Sequence, residues 1–214
     1  KRMMSPSDIF DIASLSKVIA TTSAVMLLLE KNKISLDTKI NKIIPRLNQK
    51  KDSSSKRRKK ITVKHLLTHT AGFPPFKKYY LMDMGAKNII ADICDTELLY
   101  EPGTKTIYSD LGLILLGSLV EAIAKMPLDV FISKYLFQNL GMVNTFYNPP
   151  DHKLNRIVPT EITSGYRSGL IHGEVHDENA HKLGGVAGHA GLFSTAPELA
   201  RFAQMMLNNG HYGR

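Results

Sequence analysis

Residues 11–31 read "DIASLSKVIATTSAVMLLLEK", and the four letters Ser14-Leu-Ser-Lys17 stand at the head of its apolar run. They are either the polar start of a buried helix or a serine with an amine one turn away. On a helix, positions i and i+3 are neighbours, so Ser14 and Lys17 would lie side by side. The spacing alone decides little, because Ser53 to Lys56 repeats it inside a strongly hydrophilic run.

Working outward, "DIFDIAS" alternates apolar and polar residues and predicts a short strand. "LSKVIATTSAVMLLLEKNK" follows as a long helix, apolar over most of its circumference and therefore central. A serine hydroxyl is a weak nucleophile until something takes its proton. A lysine takes it only when neutral, a change from an ordinary pKa near 10.4 towards about 7. Burial and the positive end of a helix can supply that change. The same helix start would aim the Ser14 backbone N–H outward, where it could stabilise an oxyanion.

The bulk composition sets limits. The chain has 214 residues, 43% hydrophobic and 22% charged, within the ordinary range for a globular protein. The apolar runs Val18–Leu29 and Leu111–Val120 are too short to span a bilayer and predict buried helices. No signal peptide is visible, but the chain begins at Lys1-Arg2, so an upstream segment is an open expectation. Of the net charge of +9, the run 50–60, "KKDSSSKRRKK", carries +6. No aromatic residue interleaves it, which argues against nucleic acid as a partner. The run is expected to be a solvated, mobile basic insertion, with contact to an anionic surface as the sharper alternative. Cys94, the one cysteine, lies in "NIIADICD" and is expected in the core.

Further along, "ITVKHLLTHTAGFPP" predicts a short helix capped by Thr62 and stopped at Gly72 and the prolines. Residues 76–97 read as irregular. "EPGTKTIYSD" is a turn-rich loop leading into a helix, Leu111–Lys125, with another around Leu128–Phe137. The last helix opens on a capping box, Thr195 to Glu198, and ends at Asn208-Asn209-Gly210. Helix outweighs strand, and no internal repeat is present.

Tyr108-Ser-Asp110 lies 94 residues after Ser14. A tyrosine phenolate beside an ammonium can take the serine's proton and later water's. Asp110 could equally cap the helix that follows, and the two roles are compatible. Ser-x-x-Lys with a Tyr-x-Asp element, together with "ITVKHLLTHTAGFP", "EPGTKTIYSDLGLILLGSLVE", "LGMVNTFY" and "AGLFSTAPELARFAQMMLN", resembles the class C β-lactamase, D-alanyl-D-alanine carboxypeptidase and esterase superfamily. The likeness covers nearly the whole chain apart from the basic insertion and part of 76–97. It implies an α+β fold of the β-lactamase/DD-peptidase kind, an antiparallel sheet with a helical subdomain. It also implies Ser14 as the acylated nucleophile, Lys17 as its partner and Tyr108 as general base. No cofactor is implied, and the expected location is periplasmic, secreted or envelope-associated.

Two departures from the family pattern matter. Asp110 stands where the family usually has Asn. An ionised carboxylate only accepts hydrogen bonds, and it would also pair with Lys17, favouring Tyr108 as the base. That tilts the expected chemistry towards peptidase or ester substrates over efficient β-lactam hydrolysis. The third motif, Lys-Thr-Gly or His-x-Gly, also has no convincing counterpart. Lys182-Leu-Gly184, His189-Ala-Gly191 and His211-Tyr-Gly213 match in letters only. The chain is therefore expected to be a partial domain, 1–214, holding mostly the helical part. A further segment or chain would supply the missing strands and one oxyanion donor, and the isolated piece would be nearly inactive.

The run "IHGEVHDENAHKLGGVAGHAG" gathers His172, His176, Asp177, His181 and His189. Zinc is one reading; the glycines oppose the helix that an i, i+4 pair of ligands needs. The preferred reading is a loop at the site's mouth, with His176, Asp177 and His189 in a substrate-binding or proton network and no metal. His65 and His69 are expected to be local structural residues. Two functions remain: a serine hydrolase acting on D-alanyl peptides or small esters and open to acylation by β-lactams, or a non-catalytic binding or regulatory domain that retains the fold.

Overall fold

The strand before Ser14 is shorter than the alternation suggests. In a computed structural model, which describes residues 3–213, only Phe10–Asp11 (β1) pairs as strand. The chain then turns at Ala13, whose φ of +46° is a left-handed conformation that an alanine adopts at a cost of about 1–2 kcal/mol. Helical structure follows at once: a π-helical segment Lys17–Thr22 runs into α1, Ser23–Glu30. Its wide turns place Thr22 and Ser23 hydroxyls on the carbonyls five residues back, Lys17 O and Val18 O. Such π segments recur at functional sites because they re-aim side chains.

The basic run 50–60 corrects the expectation of a mobile insertion. It folds around α2, Ser55–Arg58, and Arg58 is fully buried. Its guanidinium makes a two-pronged bond to Asp52, at 2.6 and 3.1 Å, and donates to Lys50 O and Thr96 O. A buried guanidinium has to be met by acceptors, and here the segment's own Asp52 and Lys50 carbonyl are joined by the carbonyl of Thr96. The neighbouring lysines stay on the surface.

α3, Val63–Leu67, carries the expected Thr62 cap, and His65 completes a capping box by accepting from Thr62 N–H. The segment read as irregular contains α4, Ala86–Asp95, with Ile89, Ile93 and Cys94 facing the core. Ile89 and Ile93 are one helical repeat apart, a signal too short to stand out in sequence. α5, Asp110–Ala124, is the central helix, buried along Leu111–Gly117 and at Leu119 and Val120, and ends on Lys125 in the left-handed region. α6, Leu128–Ile132, packs on it, and a second π-helical segment, Ser133–Phe137, continues from α6.

The strands are few. β2 (Phe146–Tyr147) and β1 flank β5 (Leu192–Ser194) in a three-stranded antiparallel sheet, order β1-β5-β2, with Phe10 opposite Ser194 and Phe146 opposite Phe193. A separate hairpin, β3 (Glu161–Ser164) and β4 (Ser168–Ile171), was not anticipated. A short helix, α7 (Glu178–Lys182), interrupts the histidine-rich run where no helix was expected. Asp177 caps it by accepting from Ala180 N–H. In α8, Ala196–Leu207, Thr195 caps as predicted, but Glu198 does not reach back. Buried, it accepts from Asn144 and Thr145 and ties α8 to the turn before β2. The α+β character is as expected.

No single helix among the described residues is long and apolar enough to cross a membrane; α5 with the segment after it passes by composition only as a pair bent by 71°.

Replacing Arg58 with Ala is expected to cost about 3 kcal/mol at pH 7, since it opens a buried hole and removes the donor shared by Asp52 and two carbonyls. Arg58→Met should cost less, because its stem refills the volume. Urea unfolding midpoints of the two variants check both the size and the order.

Candidate active site

Ser14 sits on the exposed turn between β1 and the π-helical segment, and Lys17, 5% exposed, lies beneath it. Lys17 Nζ donates to Ser14 Oγ at 2.8 Å and to His189 O at 3.0 Å. Asp110 Oδ1 lies 2.8 Å from the same nitrogen as a charge pair, not as an aligned hydrogen bond. The Tyr108 ring centroid is 4.8 Å from Nζ. Residues 14, 17, 108, 110 and 189 are thus drawn from three separate parts of the chain to one ammonium.

The turn that presents Ser14 is clamped at both polar groups of Ala13. Asp11 Oδ1 accepts from Ala13 N–H at 2.8 Å, and Ser16 Oγ donates to Ala13 O at 2.6 Å. Ser16 is fully buried and also accepts from Leu192 N–H, which pins the turn to β5. The Ser14 N–H has no acceptor among the described residues, so it is available to an oxyanion.

Tyr108 and Asp110 are delivered by a loop held from below. Ser109 Oγ donates to Pro74 O and Asp110 N–H to Pro75 O, while Ser109 Oγ also caps α5. His69 stacks against Tyr108 with ring centroids 4.6 Å apart, and its Nδ1 accepts from Ser109 N–H. Burial, then the Lys17 charge, push the His69 pKa below its ordinary value, so the ring is neutral and keeps that acceptor. His69 therefore does more than hold local structure: it forms the side wall of Tyr108, a contact that sequence separation concealed.

The carbonyl that holds Lys17 is placed by a close approach of two backbones. Gly188 packs so tightly on α5 that a Cβ there would stand 2.0 Å from Leu113 O, and Gly117 faces it. Thr21 Oγ1 donates to Gly188 O from the other side. The His189 ring, 1% exposed, bonds through Nε2 to Asp177 Oδ1 at 2.9 Å. Burial works to raise the Asp177 pKa, but the His189 bond and charge, the Ala180 N–H and nearby Lys17 outweigh it. The carboxyl rests below its ordinary range.

His176 departs from expectation. Its ring turns away to Glu161, 2.6 Å off, and only its backbone N–H faces the site, donating to Asp11 Oδ2 at 2.7 Å. His172 contacts the carbonyls of Leu154 and Ile157, and His181 pairs with Glu174. The four histidine rings thus face four different partners and form no common site, against the zinc alternative. Among the described residues, Asp110, Asp177 and His189 do bring ligand-type atoms within 4.8 Å of one another. The Lys17 ammonium, set against Asp110 there, supplies the positive charge that the carboxylates require. His189-Ala-Gly191 leads directly into β5, but its imidazole is buried and spent on Asp177. Asp11 and Ser16 went unnoticed in the sequence. The one available signal was Asp11 two residues before Ala13, the spacing of an Asx turn.

A profile of the beta-lactamase family matches residues 1–213. A protein of Escherichia coli (strain K12), named provisionally as a D-alanyl-D-alanine carboxypeptidase, is 36% identical over 227 aligned positions, covering 96% of this chain and 52% of that protein. One from Salmonella schwarzengrund, named in the same provisional way, is 35% identical, covering 95% and 52%. This chain therefore spans about half the length of these relatives. Among solved structures, a beta-lactamase/D-alanine carboxypeptidase from Yersinia pestis complexed with citrate superposes with a TM-score of 0.76 at 22% identity, over 99% of this chain and 57% of that one. An octameric penicillin-binding protein homologue from Pyrococcus abyssi gives 0.74 at 22%, over 97% and 47%. At such identities these structures speak for the fold alone.

Asp177→Asn keeps an acceptor for the α7 cap and loses the charge facing His189. Because the folded-state pKa of Asp177 is depressed below 3.8, its contribution is complete above that pH and is lost as pH falls through the depressed value. The variant should be less stable than wild type by about 1 kcal/mol at pH 7, with the gap closing at lower pH. Urea midpoints at pH 7 and pH 3 measure both.

Proposed function

The chain belongs to the beta-lactamase family, and on that premise we propose that it carries the catalytic centre of a serine hydrolase working through an acyl-enzyme at Ser14. The observation that carries this reading is the 2.8 Å contact of Lys17 Nζ with Ser14 Oγ, made by a lysine that Asp110 and His189 O hold in place under the serine.

In the proposed cycle the Tyr108 phenolate takes the Ser14 hydroxyl proton as Oγ attacks the substrate carbonyl carbon. The Lys17 ammonium stabilises both the phenolate and the attacking oxygen. The tetrahedral oxyanion receives the Ser14 N–H. Collapse breaks the bond to the leaving group, which departs with the proton held by Tyr108. Water then repeats the sequence: Tyr108 takes its proton, hydroxide adds to the acyl carbon, and Ser14 leaves reprotonated. His69 keeps the Tyr108 ring upright, and the Asp177–His189 pair keeps the carbonyl on Lys17.

The proposed substrates are D-alanyl peptides of the cell wall or small esters, with β-lactams as acylating agents. The provisional names of the relatives favour the peptides, and such a substrate would place the protein in the cell envelope. Asp110 offers only acceptor oxygens, which favours a substrate that donates an N–H there over one that presents a carbonyl.

With the full-length protein, a fluorophosphonate or a fluorescent penicillin should label Ser14, as peptide mapping of the adduct will show. Ser14→Ala should abolish the label, and Tyr108→Phe should slow acylation by about 10²–10³-fold. Absence of label under conditions that modify a control hydrolase would instead favour the non-catalytic binding domain. Asp110→Asn should raise the penicillin rate relative to the fluorophosphonate rate, measured side by side in stopped time courses.

A further inference from the structure

We infer that Asp11 is a positioning residue that refines the placement of Ser14 Oγ over Lys17 Nζ by tying the turn before the serine and the loop behind the lysine to one carboxylate. This rests on the reading of Ser14 as the nucleophile. Asp11 ends β1 and is half-buried beside the turn. One of its oxygens accepts from Ala13 N–H at 2.8 Å and fixes the Ile12–Ala13 peptide, one residue before Ser14. The other accepts from His176 N–H at 2.7 Å, across 165 residues of sequence. The next residue, Asp177, holds the His189 ring, and His189 O accepts from Lys17 Nζ, which returns to Ser14 Oγ. The bonds and the short lengths of chain between them close into a ring that passes through the reactive hydroxyl, and in that ring one carboxylate, Asp11, meets both the serine arm and the lysine arm, beside the bonds that tie Ile12 and Ser16 to Leu192.

The serine arm is also tied to β5 through Ser16 Oγ and the Ile12 N–H, but neither bond reaches the Ala13 N–H. Ala13 sits at φ +46°, a conformation an alanine leaves unless its surroundings over-determine it. Ser16 holds the Ala13 carbonyl, but only Asp11 holds the Ala13 N–H. The lysine arm is likewise a loop, 172–177, that reaches β1 through the His176 N–H. A carboxylate suits the junction because both of its oxygens accept. An amide in the same place offers one acceptor and would turn its NH₂ against one of the two backbone donors. A misplacement of about 1 Å between reacting groups is enough to cost about 10²-fold in rate.

The test uses the full-length protein and the fluorophosphonate reagent. It measures the acylation rate constant at saturating reagent, the half-saturating concentration and the fraction of molecules that can be labelled. Asp11→Asn should lower the rate constant by about 30-fold and Asp11→Ala by about 100-fold, with half-saturation and the labelled fraction within about twofold of wild type. Glu161→Gln removes the ring partner of His176 but leaves its backbone N–H, and should label at the wild-type rate. A smaller labelled fraction that reacts at the wild-type rate would show that Asp11 only helps the protein fold, and would overturn the inference. So would an unchanged rate in both Asp11 variants, or an equal loss in Glu161→Gln, while wild-type labelling at Ser14 would still stand. If wild type is not labelled at Ser14 at all, the reading of the nucleophile fails first and this inference with it.

Discussion

A lysine ammonium removed from water has to be surrounded by acceptors, and the architecture around Ser14 follows from how Lys17 meets that demand. Three groups answer it: a serine hydroxyl one turn away, a carboxylate from the start of α5 and a carbonyl from the loop before β5. Only the first is local. The other two require α5 and the glycine-rich loop to converge on the π-helical segment. The close contact of Gly188 with Leu113 O and the bond from Thr21 to Gly188 O bring about that convergence. A side chain at position 188 would push the loop off α5 and carry the His189 carbonyl away from the ammonium.

The supporting parts share one economy. Polar groups that look structural by themselves each hold a backbone group close to Ser14, Lys17 or Tyr108. Ser16 and Asp11 hold the two sides of Ala13, Ser109 holds the loop that presents Tyr108, and Asp177 holds the ring whose backbone carbonyl reaches Lys17. His69 contributes a neutral face to Tyr108, kept neutral by burial and by the ammonium it borders. The basic segment at 50–60 obeys the same rule far from the site. Arg58 goes inside because Asp52 and two carbonyls close around it, and the rest of its charge remains at the surface.

Much of the helical scaffold was legible because its signals are local. The apolar runs of residues 18–29 and 111–120, the Thr62 and Thr195 caps and the Tyr108-Ser-Asp110 loop lead to the elements they suggest. The misses have physical causes. The helix at Ala86–Asp95 carries only a short apolar repeat, and α7 depends on a single capping carboxylate among glycines. The hairpin of β3 and β4 is largely exposed and so lacks a strong alternation. The charge of residues 50–60 resembled a solvated tract, because nothing in composition distinguishes a guanidinium that will be buried from one that will not.

By itself, then, the order of residues determined the Ser14–Lys17 adjacency, the central helices and the loop that bears Tyr108, since each depends on spacings of a few residues that any helix or turn imposes. Tertiary structure alone decided which way His176 faces, that His189 offers its carbonyl to Lys17 while its ring serves Asp177, and that Asp11 joins the two. Those outcomes depend on segments up to 172 residues apart being packed to within hydrogen-bonding distance. No local propensity encodes a distance of that kind; close packing of the whole domain does.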